Sequence, residues 1–291
     1  MDLIEAILYG IVQGLTEWLP ISSTAHLRIL PALLGKPDPG AGFTAVIQLG
    51  TVLAVLIFFR SDIAQALSAF FKSLRGEGRD TPEAKLAWGA FYGTLPILII
   101  GFALKDLIKS NQTRSLYVIA GTLIFMGVVM LIAEKVGKQN RGKEDLEVKD
   151  GIIVGCWQAL ALLPGMSRSG STISGALFQG LDRTTAARFS FLLSIPSITA
   201  AGVYELYSER KEIFGPLLMP ALVATVVSFV VGYASIALLL KVIQKQGIGI
   251  FVGYRIVLGI VLLVLLSQGK LVATEPETAP GEKVVASRVS P

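Results

Sequence analysis

The chain has 291 residues, 53% hydrophobic and only 16% charged, with a mean hydropathy of +0.66, a balance that excludes a soluble enzyme and fits an integral membrane protein. Its net charge of +5 fits Lys/Arg-rich cytoplasmic loops, and no basic stripe of the nucleic-acid-binding kind is present. Cys156 is the only cysteine, which excludes an intramolecular disulfide and a cysteine-built metal centre and leaves a small buried apolar residue as the expectation.

The opening Met1-Asp2-Leu3 lacks the basic region of a secretory signal, so the first apolar segment is expected to stay in the mature protein. Residues 3–15 predict a short apolar helix. The run then meets Gln13, Thr16 and Glu17, breaks at Pro20, and passes into Ser22, Ser23, Thr24, His26 and Arg28. Gln13 and Glu17 are four apart and share a helix face. A turn at Pro20 brings the three hydroxyls and His26 back beside Glu17, as in a helix-loop-helix that enters the membrane and returns. A polar link over 35–42 precedes an apolar run, 43–59, that contains Gln48 and predicts a full span. Residues 60–85 carry Arg60, Lys72, Arg75, Arg79 and Lys85 and predict an amphipathic surface helix in the cytoplasm. Two further spans follow at 86–104 and 116–133, joined by a link bearing Lys105, Lys109 and Arg114. The next loop carries Lys135, Lys138, Arg141, Lys143 and Lys149, so five, three and five basic residues alternate as a positive-inside topology requires.

The second half repeats this plan at an offset of about 145 residues, a pattern that points to a binding site between interrupted segments. Gly10-Ile-Val-Gln13 answers Gly155-Cys-Trp-Gln158, Leu19-Pro20 answers Leu163-Pro164, and each Leu-Pro step leads to a serine-rich loop. Spans follow at 189–204, 217–240 and 250–266. Each half then holds one re-entrant hairpin and three spans, and the odd count inverts the second half. The predicted fold is an all-α polytopic membrane protein with an inverted-topology repeat, about six full transmembrane helices and two re-entrant helix-loop-helix hairpins. One membrane domain covers residues 1–272, with repeats at about 1–140 and 146–272. The Pro-, Glu-, Lys- and Ser-rich tail, 273–291, predicts disorder on the outer side.

The loop Pro164-Gly165-Met166-Ser167-Arg168-Ser169-Gly170-Ser171-Thr172 sets polar groups and one Arg between apolar runs. Backbone at membrane depth must line a protein cavity or a water-filled cleft. The Arg168 fork suits a phosphate or carboxylate, Gly165 and Gly170 allow close backbone approach, and Ser167, Ser169 and Thr172 precede a helix start that favours anions. A helix-packing loop, with Arg168 in a structural pair, accounts for the small residues but not for an Arg among four hydroxyls. Gln48 and Gln158 are expected to tie the two halves together by hydrogen bonds, and Trp18 and Trp157 to serve packing or the membrane interface.

Gln13-Gly-Leu-Thr-Glu17-Trp-Leu-Pro-Ile-Ser-Ser-Thr-Ala-His26 and Pro164-Gly-Met-Ser-Arg-Ser-Gly-Ser-Thr172 together resemble the undecaprenyl-diphosphate phosphatase family, also known as bacitracin-resistance proteins. The resemblance covers all but the tail. It implies hydrolysis of undecaprenyl diphosphate at the bacterial inner (plasma) membrane, with the site facing the periplasm or cell exterior and a divalent cation, Mg²⁺ or Ca²⁺, required. Carried over position by position, the family's Glu/Gln-x-x-x-Glu motif falls on Gln13 and Glu17, its serine turn and His on Ser22, Ser23 and His26, and its Pro-Gly-x-Ser-Arg motif on Pro164 to Arg168. Many members have Glu where this chain has Gln13, a poorer ligand, so Glu17 would hold the metal with phosphate oxygens and water. The expected catalytic set is Glu17, Ser23, His26 and Arg168. Gln13, Ser22, Thr24, Gly165, Ser167, Ser169 and Thr172 are expected to contact substrate. Ser23 reads equally as a nucleophile or as a phosphate donor, His26 as base or acid, and Ser22 and Thr24 also as turn and helix-start residues. The partners implied are a polyprenyl diphosphate lipid and the membrane, with no nucleic acid; a homodimer stays open. Inverted repeats and broken helices also belong to transporters, so a transporter or flippase of an anionic polyprenyl lipid is the alternative, set apart by needing no nucleophile.

Overall fold

The computed structural model describes residues 1–110 and 112–274; the expected disordered tail lies outside the described residues from position 275 onward. Among the described residues the architecture is helical, without named strands. The first half holds α1 (Leu3–Trp18), α2 (Ser23–Leu34), α3 (Gly40–Phe58), α4 (Arg60–Leu74), α5 (Pro82–Ala103), α6 (Lys105–Lys109) and α7 (Leu116–Val136). The second holds α8 (Val148–Ala159), α9 (Arg168–Phe178), α10 (Arg183–Ser208), α11 (Arg210–Ile213), α12 (Leu218–Gln246) and α13 (Gly249–Ser267).

By length and composition α5, α7, α10, α12 and α13 can each cross a membrane, and α3 with α4, bent by 80° at Phe59, adds a sixth candidate. The six apolar runs seen in the sequence are thus all helical, while several helices are longer than the runs. α10 begins at Arg183 and not at Phe189, because Asp182 accepts the Thr185 amide at 2.9 Å and caps the helix in its polar prelude. Both halves also open their first helix with an acid in the first turn that accepts from the backbone behind it. Asp2 N–H donates to Glu5 at 2.9 Å, and Glu147 N–H donates to Asp150 at 2.9 Å.

The first helix of each half packs on the other half: α1 lies along α12, and α8 along α5. Glycines spaced by four make both seams. A Cβ at Gly10 would stand 2.6 Å from the Ala224 carbonyl, and one at Gly14 2.8 Å from the Gly232 amide; Gly151 and Gly155 of α8 meet Gly89 and Gly93 of α5 in the same way. Gly10 and Gly155, which open the repeated Gly-x-x-Gln sequence, are therefore seam residues. α7 pairs with α13 and α3 with α10, so these two elements also meet their counterparts. Between these pairs the two loops, 19–22 and 160–167, come together.

Candidate active site

Each loop ends on a serine with a left-handed backbone, Ser22 at φ 74° and Ser167 at φ 68°. Among the described residues only Gln139 shares this feature outside glycine. Such conformations cost about 1–3 kcal/mol each and persist where the surroundings enforce them. Both serines cap the following helix: Ser22 Oγ accepts the Ala25 amide at 3.3 Å, and Ser167 Oγ accepts the Gly170 amide at 3.1 Å. The consequence is positional. The residues presented at the two helix starts are Ser23 and Arg168, and the helix N-termini that carry them favour an anion between them.

Glu17, at the end of α1, joins the two. One carboxylate oxygen accepts Arg168 Nη2 at 2.7 Å; the other accepts the Ser23 hydroxyl at 2.5 Å and Gln13 Nε2 at 2.9 Å. All four side chains are buried or nearly so. Arg168 lies over the Trp18 ring, 5.3 Å from its centroid, and that ring stands edge-on to Phe191. Trp18 therefore supports the guanidinium as well as filling the core. Three polar atoms in this group remain unpartnered while fully buried: Arg168 Nη1, Gln13 Oε1 and Trp18 Nε1. A guanidinium anchored by one nitrogen and idle at the other is prepared to receive an acceptor.

A cavity of about 270 Å³ opens at this point. Glu17, Ser22, Ser23, Thr24, Ser167 and Arg168 form its polar end, and Ile97, Ile108, Ala161, Leu162 and Ile198 supply much of its apolar wall. Arg28 and Arg114, which both pair with Asp38, reach it together with Glu205.

Of the expected site residues, Gln13, Glu17, Ser22, Ser23, Thr24, Ser167 and Arg168 gather here. Ser169 and Thr172 are fully buried behind the loop: Ser169 donates to the Leu19 carbonyl at 3.1 Å, and Thr172 donates to the Arg168 carbonyl at 2.7 Å. Position 165 requires glycine twice over, at φ 91° and with its Cα against α7, where any Cβ would collide with Thr122; its amide donates to Thr24 Oγ1 at 3.5 Å. His26 is turned from the cavity toward α13. Its Nδ1 lies 2.7 Å from the Ser22 carbonyl, which can only accept, so Nδ1 carries the proton and in the neutral ring Nε2 accepts the Tyr254 hydroxyl at 2.7 Å. The expected bridge between halves by Gln158 is not formed. Its Oε1 accepts Ser197 Oγ at 3.1 Å within the second half, because α8 and α10 adjoin there, while Gln48 lines the cavity.

Sequence reading passes over Arg255, in the apolar run of α13. A lone cation inside a span is the signal that marks it. The guanidinium is 0% exposed and donates to carbonyls of both loops: Pro20 at 3.0 Å, Gly165 at 2.8 Å and Met166 at 3.2 Å.

Among the described residues no cluster of three or more His, Cys, Asp or Glu could hold a metal alone. The donors at the site are nonetheless all oxygens, namely the Glu17 carboxylate, the Ser23 hydroxyl and the idle Gln13 Oε1, a set that suits Mg²⁺ or Ca²⁺ completed by water and phosphate oxygens.

A family model described as bacitracin resistance protein BacA matches residues 6–261. An undecaprenyl-diphosphatase of Myxococcus xanthus is 52% identical to this chain, covering 98% of the chain and 99% of the relative. Undecaprenyl-diphosphatases of Chloroherpeton thalassium, 50% identical, and Chlorobaculum tepidum, 48% identical, cover 94% and 93% of the chain and 100% and 99% of their own lengths.

Proposed function

The chain belongs to the bacitracin resistance protein BacA family, and from that membership we propose how its residues divide the work. The activity is hydrolysis of undecaprenyl diphosphate to undecaprenyl phosphate and inorganic phosphate, which returns the lipid carrier to peptidoglycan synthesis and confers bacitracin resistance. The observation that carries the site assignment is the idle, buried Arg168 Nη1 beside a serine hydroxyl hydrogen-bonded to a carboxylate. Transport alone calls for no such hydroxyl, which is why the flippase reading is not favoured.

Ser23 is the nucleophile and Glu17 its base. The 2.5 Å hydrogen bond is of the short, charge-assisted kind that raises the nucleophilicity of a hydroxyl. Ser23 Oγ attacks the terminal phosphorus, its proton passes to Glu17, and the bond to the prenyl phosphate breaks with its electron pair leaving on that phosphate. Water then attacks the phosphoserine, its protons leaving on the inorganic phosphate, and the departing Ser23 Oγ takes the proton back from Glu17. Arg168 and the two helix N-termini hold the equatorial oxygens throughout. A divalent cation, when bound, neutralises phosphate charge; Glu17 and Gln13 would hold it. His26 works through the Ser22 carbonyl, fixing the turn that presents Ser23. The prenyl chain leaves along Ile97, Ala161 and Leu162, beside the part of α5 whose Leu98, Ile99 and Phe102 are exposed for contact with lipid.

An inverted repeat is supported by the exchange of first helices, the paired glycine seams and the paired left-handed serines. The cavity faces the periplasm from the inner membrane in this reading, an orientation that family membership suggests and the loop charges support. Cys156 is exposed and not buried as expected, so the test uses a Cys156→Ser background, in which a cysteine at Gly76 is expected to react only from the cytoplasmic side and one at Thr278, outside the described residues, only from the exterior. Labelling of both from one side removes the inversion.

Purified protein in detergent, given a polyprenyl diphosphate with and without chelator, tests the reaction: release of inorganic phosphate that chelator stops supports it, and no release with added Mg²⁺ or Ca²⁺ overturns it. For Gln13→Glu the expected outcome is retained activity with a divalent-ion titration displaced to lower concentration, because a second carboxylate shares the ion. An unmoved titration removes residue 13 from the metal site.

A further inference from the structure

We propose that Arg255 is a positioning residue for the phosphoryl-transfer site and a source of positive charge behind its Ser23–Arg168 end, an inference that rests on the phosphatase reading above. Glu17 and Arg168 cancel each other, so the polar end of the cavity formed by that pair would be neutral by itself. Among the described residues Arg255 forms no ion pair. It is wholly buried, and its donors are spent on carbonyls: Nη1 on Pro20, Nη2 on Gly165 and Met166, and Nε at 3.4 Å on Leu123 of α7. These carbonyls precede the two left-handed serines, Pro20 by two positions and Gly165 and Met166 by two and one.

One planar guanidinium thus spans both loops from behind and fixes the distance between Ser23 and Arg168. The adjoining Tyr254 reinforces it by holding His26, whose other nitrogen donates to the Ser22 carbonyl. Gly170 leaves the room: a Cβ there would stand 3.3 Å from Arg255 Nη1. Helix packing between α7 and α13 needs none of this, since an aliphatic side chain would fill the same space without burying a charge. A buried cation kept without a carboxylate, at the back of an anion cradle, adds potential where a diphosphate sits.

The two contributions separate in two variants. Arg255→Lys keeps the charge and loses the planar, multi-carbonyl grip. It is expected to lower kcat by about 30-fold or more, since misplacement by 1 Å can cost about a hundredfold. KM and the calorimetric Kd for inorganic pyrophosphate should stay within about threefold, because the charge remains. Arg255→Gln should show the same fall in kcat and, in addition, pyrophosphate binding weaker by about tenfold as the charge is lost. A purely structural residue would instead lower the melting temperature and leave kcat per folded molecule and pyrophosphate binding untouched. Near-wild-type kcat in either folded variant overturns the proposal. So does failure of both variants to fold in the presence of saturating pyrophosphate, which would assign Arg255 to folding alone. Binding of pyrophosphate needs no turnover, so a wild-type protein that binds it but releases no phosphate would count against the phosphatase reading while the Arg255→Gln binding comparison still decides the charge assignment.

Discussion

Arg168→Lys is expected to release phosphate about a hundredfold or more slowly per folded molecule than the wild type, because a transition-state donor is lost while charge and fold are kept. The native guanidinium serves two partners in different ways. Nη2 is committed to Glu17 at 2.7 Å, and Nη1 is buried with nothing to bond until a phosphate oxygen arrives. A lysine ammonium can satisfy Glu17 but has no second, coplanar donor to turn toward the substrate. Arg168→Ala goes further and leaves Glu17 buried and unpaired, a loss worth about 3–5 kcal/mol of stability where a buried pair is broken from one side. The two variants should therefore share a deep loss of turnover and differ in melting temperature. Phosphate release by monodisperse protein, measured beside thermal stability in detergent, checks both. A well-folded Arg168→Ala protein with near-wild-type turnover would remove the clamp from the site.

The motif residues that meet at the cavity were legible because each breaks the apolar text around it. Glu17 and Arg168 are ionisable groups at membrane depth, where charge has to be compensated, and their pairing across 151 positions follows from the repeat. The spans were legible from long apolar runs, whereas the glycine seams were not, since Gly10 and Gly155 stood out only as the start of a repeated sequence. What stayed hidden depended on direction and not on composition. Ser22 and Ser167 adopt a left-handed backbone that sequence would assign to glycine, and tertiary contacts impose it. His26 is three residues from Ser23 on one helix, near enough in sequence for a base, yet its ring turns to Tyr254 on a helix 228 positions away. Arg255 was masked because one charge hardly lowers the hydropathy of a 19-residue span. Ser169 and Thr172 share the chemistry of Ser23 and differ from it only in facing inward, which no motif records.

Glu17→Gln is expected to reduce turnover by about 10²–10⁴-fold, the range lost when a general base is removed. The change is nearly isosteric but wrong in polarity. Native Glu17 accepts from three donors, Arg168, Ser23 and Gln13, and donates to none. A carboxamide has a single acceptor oxygen, so its NH₂ must face either the guanidinium or the Ser23 and Gln13 donors, and one side of the network loses its acceptor. Ser23 is left without a base, and the carboxylate assigned to a divalent ion is gone. The decisive measurement is a double-mutant cycle with Ser23→Ala. Groups that act as one nucleophile-base unit are strongly non-additive, so the double variant should be hardly slower than the worse of the two single variants. If instead the losses multiply, Glu17 and Ser23 act on separate steps, and the attacking group is a water that Glu17 activates without Ser23.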